Sequence, residues 1–170
     1  MASLVDDLLE TLAKEKDGYD RLYDLADRKR QAVISRDIDS LTDLSDREQE
    51  MSDELKRLEG KRVSVMKDMS VVLGHEDESL TVTGIINLLG KQPEEQKALT
   101  KARDELVASA TRMQFLNQQN KVLLEQAMEM VDFDLTLYKS MRQAPETANY
   151  GKDAVSTGDL LGGGSFDFKQ

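Results

Sequence analysis

The residues able to do chemistry are few and scattered. The only histidine is His75, in the stretch LGHEDES, and there is no cysteine. A lone histidine in a polar loop has nothing beside it to activate, so it reads as a loop residue. Without cysteine there is no disulfide framework, thiol nucleophile or thiolate metal site. A di-iron helical bundle needs Glu-x-x-His on two helices, and the sequence contains none. Glu125, Glu129 and Asp132 form one acidic cluster, which reads as a solvated helix face. Gly162, Gly163 and Gly164 precede Ser165, but no lysine completes a phosphate-binding loop. Neither an enzyme nor a metal or other cofactor is expected.

What remains is helical surface. The 170 residues suffice for one domain, 33% are charged, 5% are aromatic, and tryptophan is absent. That profile belongs to long amphipathic helices. The net charge of −10 repels phosphate backbones, so no nucleic-acid partner is expected. The basic stretches DRKRQ and EGKRVSVMK are flanked by acids and read as solvated faces. The N-terminus lacks a signal peptide's basic flank, and no apolar run approaches the ~20 residues that span a bilayer. A cytoplasmic protein without membrane insertion is expected.

The apolar positions set the elements. Leu4, Val5, Leu8, Leu9, Leu12, Tyr19, Leu22, Tyr23, Leu25, Ala26 and Val33 recur in threes and fours, predicting one helix with Ser3 as its cap. Gly18 falls inside it. Ser35, Asp37 and Asp39 are candidate caps for a second helix, whose stripe runs from Leu41 through Leu44, Met51, Leu55, Leu58, Val65 and Met69 to Val72. Glu48 and Arg62 fall on that stripe and should be partnered. Gly74 reads as the stop. The short run Ile85–Leu89 between Gly84 and Gly90 predicts a turn or two of helix under the bundle end.

Pro93, Glu94 and Glu95 open a third long helix that meets no glycine or proline before Pro145. Its stripe includes Leu99, Leu106, Leu116, Asn117, Asn120, Leu123, Leu124, Ala127, Val131, Asp134, Leu135, Tyr138 and Met141. At ~1.5 Å per residue it is roughly 70–75 Å long, against roughly 45–55 Å for each of the first two. Unequal antiparallel helices cannot cover one another fully, so apolar residues from about Met128 onward should be exposed unless a partner covers them. Asn117 and Asn120, with Met128, Met130 and Met141 farther along the helix, suit a surface that repacks against another helix. The fold expected is all-α: an elongated antiparallel bundle of three long helices and one short helix over residues 1–142, with a flexible Gly/Ser/Thr/Asp-rich tail over 143–170.

The order of these features carries a resemblance. Two long acidic-basic helices, the insert TGIINLL, the longer helix NQQNKVLLEQAMEMVDFDLTLY and the loose tail ANYGKDA make the chain similar to the FlgN family of flagellar export chaperones. The resemblance implies a non-enzymatic type III secretion chaperone. Such a chaperone keeps hook–filament junction proteins export-competent and delivers them to the flagellar export gate. It implies client binding at Asn120, Leu123, Leu124, Ala127, Val131, Leu135 and Tyr138, to which the methionine pattern adds Met128. It also implies docking on the gate through Tyr150. The competing reading is a structural coiled coil or adaptor, in which the client-free chain forms a homodimer and the asparagines set its register.

Overall fold

In the computed structural model, which describes residues 2–75, 81–90 and 92–143, four helices follow one another and no strand occurs among the described residues. Helix α1 covers Ala2–Ser35, α2 Ile38–Val72, α3 Val82–Leu88 and α4 Pro93–Gln143. Because α1 already includes Ala2, Ser3 lies within the helix and is not its cap.

The turn between α1 and α2 is two residues long and its chemistry is local. Arg36 takes a left-handed conformation, φ 59°. Asp37 is extended and caps α2, its carboxylate accepting from the Ser40 backbone N–H at 3.0 Å. At the far end Gly74 adopts φ 76°, a conformation open to glycine at little cost. The His75 N–H then reaches back to the Ser70 carbonyl oxygen at 2.9 Å, so the end of α2 is closed by backbone bonds. Thr81 caps α3 by accepting from the Gly84 N–H at 3.1 Å. Pro93 is the first residue of α4, where its missing N–H costs nothing.

Cross-helix pairs fix the directions. Gly18 faces Leu55, Glu15 pairs with Arg62 at 3.0 Å, and Lys29 pairs with Glu48 at 2.7 Å, so α1 and α2 run antiparallel. Both charged residues on the α2 stripe are therefore partnered. Arg112 of α4 pairs with Asp20 at 2.9 Å and stacks over the Tyr23 ring at 4.5 Å. Asn120 bonds to Ala26 further along, so α4 runs parallel to α1 and antiparallel to α2.

The core is concentrated at one end of the helices. Val5, Leu8 and Leu12 of α1 pack with Val65, Met66 and Met69 of α2, with Val82, Ile85, Ile86 and the following Leu89, and with Leu99 of α4. Each such side chain contributes about 1.5–3 kcal/mol when fully buried. The short helix α3 thus closes the bundle end, and the Gln96 side chain ties it to α4 by donating to the Ile86 carbonyl oxygen at 3.0 Å. Away from this end the buried positions become small or polar: Gly18, Ala26, Ala32, Ser109 and Asn120, with Leu44, Leu55 and Leu116 between them. Val72, on the α2 stripe by spacing, is exposed because the helix is ending there.

The chain divides into two compact units, Met1–Met130 and Val131–Gln170. The first contains α1, α2, α3 and most of α4. The second is described through Gln143, and the tail 144–170 lies outside the described residues.

Candidate functional site

The site residues expected from sequence all lie on α4 except Tyr150, which falls outside the described residues. Within the first unit, Leu99, Ser109, Leu116 and Asn120 are buried along one face of α4, with Ala102, Leu106 and Met113 half-buried beside them. Asn120 is not a surface residue. It is 6% exposed, and its side-chain amide donates to the Ala26 carbonyl oxygen at 2.7 Å. Its Oδ1 is buried without a hydrogen-bond partner. Asn117, one turn-fraction away, points to solvent, so only one of the two asparagines belongs to the seam.

Beyond Asn120 the face opens. Leu123, Leu124 and Ala127 are half-buried, and Met128 is 68% exposed. In the second unit every residue from Val131 to Gln143 is exposed. Val131, Leu135 and Tyr138 recur at helical spacing, and the Arg142 guanidinium lies over the Tyr138 ring at 5.6 Å. Phe133 and Leu137, four residues apart, are exposed as well. A single apolar stripe does not describe this stretch, because apolar side chains project from more than one face.

The sequence reading missed Phe133 and Leu137, and with them Phe115 and Val122 of the first unit, which are 66% and 44% exposed. The signal was present. Phe115 and Val122 are seven apart, as are two turns of one helical face, but that face flanks the one that carries Leu116 and Asn120, beside Gln31 and Ile34 of α1. Following one stripe hid the other.

The described residues contain no group of three or more His, Cys, Asp or Glu side chains placed to hold a metal ion. No helix among them is long and apolar enough to cross a membrane. The perturbed titrations are structural. Burial pushes the Glu15 carboxyl above its ordinary value, against the pull of the Arg62 guanidinium. Asp20 is held low by its bond to Lys16, with Ser109 and Arg112 adding to the effect.

The family profile described as FlgN protein matches residues 1–158. The chain belongs to the FlgN family. The match spans all four helices. FlgN proteins are flagellar export chaperones, a class that works by holding other proteins. No match was found among curated proteins or among solved structures.

Proposed function

We propose that this FlgN-family chain is a cytoplasmic chaperone that binds hook–filament junction proteins through the C-terminal part of α4, keeps them export-competent, and delivers them to the flagellar export gate. The observation that carries this reading is the exposure of Val131, Leu135 and Tyr138, together with Phe133, Leu137 and Met141, on a helix of a chain with net charge −10. Contiguous exposed apolar surface on a soluble domain marks an interaction site. An amphipathic segment of a client, disordered before assembly, folds against such a helix and buries apolar surface on both sides. Ordering that segment costs part of the gain, which leaves the complex releasable.

Leu123, Leu124, Ala127 and Met128 are the first-unit members of the proposed surface. Asn120 acts differently in this reading: it positions α4 on α1 through Ala26 and does not itself touch the client. Tyr150 is the proposed contact with the export gate.

The test is binding of a purified hook–filament junction subunit, measured by calorimetry. Val131→Asp and Leu135→Asp should each abolish or strongly weaken binding while the far-UV helix signal stays unchanged. Unchanged affinity in both variants would remove the proposed surface. Tyr150→Ala should bind client normally and lose association with the gate. The homodimer reading makes a separate demand, a tight dimer in light scattering across a concentration series.

A further inference from the structure

The turn between α1 and α2 reaches across to α4 through a mismatched contact. Arg36 is the one residue other than glycine with positive φ among the described residues, 59°. Glycine or asparagine holds that conformation at less cost, yet the position carries an arginine. Its guanidinium makes one hydrogen bond among the described residues, donating to Met130 Sδ at 3.7 Å. A thioether is a weak acceptor, whereas the guanidinium is a permanently charged fork of five donors. Met130 is 57% exposed, so a small oxidant reaches it.

We propose that Met130 is a reversible oxidation site whose sulfoxide is held by Arg36, fastening α4 to the α1–α2 turn. The proposal concerns the first unit alone and does not depend on what the chain binds. Hydrogen peroxide is the oxidant. A lone pair of Sδ attacks one peroxide oxygen, the O–O bond breaks and an S–O bond forms. The hydroxide released takes the proton from the new S–OH group and leaves as water. Sulfur loses two electrons and the peroxide gains them; methionine sulfoxide reductases, drawing on thiols, reverse the step. The product suits the geometry already in place. An oxygen about 1.5 Å from Sδ can stand about 2.8 Å from Arg36 Nη2 with the sulfur and nitrogen still 3.7 Å apart. The contact then becomes a charge-assisted hydrogen bond to a strongly polar oxygen. The other methionines are placed differently. Met66 and Met69 are buried in the core, and Met51 and Met113 are half-buried. Met128 and Met141 are exposed, but among the described residues no hydrogen bond reaches the sulfur of either.

The test treats the full-length chain with dilute hydrogen peroxide and maps the products by peptide mass spectrometry. Met128, Met130 and Met141 should be oxidised while Met66 and Met69 are retained. Hydrogen exchange at the turn amides 36–41 then reads the fastening. Oxidation should slow their exchange by at least about threefold in the parent, and reductase treatment should restore it. In Arg36→Ala and in Met130→Leu, peroxide should leave the turn exchange unchanged. Met130→Gln, whose side-chain carbonyl also accepts, should slow exchange without peroxide, and only while Arg36 is present. The proposal is overturned if Met130 is oxidised no faster than Met69, if oxidation leaves turn exchange unchanged in the parent, or if the slowing survives in Arg36→Ala. Slowing that survives in Met130→Leu would belong to another methionine and overturn it too.

Discussion

Asn120 and Ala26 join α4 to α1 through one buried hydrogen bond of 2.7 Å, with the other half of the amide, Oδ1, left unpartnered. The seam around it is small and polar where the bundle end is Leu, Ile and Val. Asn120→Ala should therefore lower stability to urea by about 1–3 kcal/mol, the range for losing one partner of a buried bond. Asn120→Asp should be worse, since it sets a carboxylate against the Ala26 carbonyl oxygen. Asn120→Leu should cost less than either, because it removes the orphaned acceptor together with the donor. Equal stability of all three would show that this bond does not hold the seam.

Glu15 and Arg62 make another polar contact with a buried partner, and its pH dependence has a definite sign. Burial raises the Glu15 carboxyl above its ordinary 4.5. Between 4.5 and the raised value the folded chain keeps a proton that the unfolded chain has released. This group's contribution to stability therefore falls as pH rises through that window, and at neutral pH the charge is a net burden. Glu15→Gln should be at least as stable as the parent at pH 7 and should flatten the profile above 4.5. Arg62→Ala should destabilise by about 3 kcal/mol, because it leaves a buried carboxylate alone. Chemical denaturation at several pH values checks both. A steeper profile in Glu15→Gln would reverse the assignment.

Asp20 has the opposite sign. Its lowered value means stability that is present above its ordinary 3.8 and is lost as pH falls through the depressed value. Asp20→Asn should be less stable than the parent at pH 7, and the gap should close in strong acid. A gap that persists in acid would mean that packing, not charge, is what the substitution removed.

Two glycines inside helices should respond in opposite directions. A Cβ on Gly60 would meet nothing within 4 Å, so Gly60→Ala should stabilise α2 by about 0.5–1 kcal/mol. A Cβ on Gly18 would stand 2.7 Å from Leu55 Cδ2. Gly18→Ala should then cost about 1–3 kcal/mol of overpacking, outweighing a helix gain of about 1 kcal/mol. Leu55→Val should recover part of that loss, and thermal melts of the double variant measure the coupling.

A chain ending at Gln143 should melt like the full-length protein. The clustered core runs from Val5 to Leu99, and the half-buried residues packed on it reach only to Leu106. A lowered melting temperature in the shortened chain would give residues 144–170 a structural part. Normal client binding with lost gate association would match the role proposed for Tyr150.

Much of this protein was legible in its sequence because helices announce themselves locally. Apolar residues at threes and fours, Asp37 as a cap, Gly74 as a stop and Pro93 as a start all act over one or two turns, and all are where local chemistry puts them. Glu48 and Arg62 on an apolar stripe announced ion pairs, and the structure supplies Lys29 and Glu15. Exposure from Met128 onward was likewise legible, from helix lengths alone.

What tertiary structure decided is which side of each stripe is covered, since periodicity defines a face but not the neighbour against it. Spacing put Asn117 and Asn120 on one stripe, yet only Asn120 reaches a carbonyl of α1. Spacing places Gly18 inside a helix, and only packing shows that Leu55 occupies the space a side chain there would need. A groove lined by Ile34, Phe115 and Val122 joins residues some 80 positions apart, roughly the length of one up-and-down helical excursion, and nothing local links them. The sequence by itself determined the helices, their order and an excess of apolar surface on the last one. Packing determined how that surface divides between a polar seam, an open helix and a groove, because burial belongs to pairs of elements and not to any one of them.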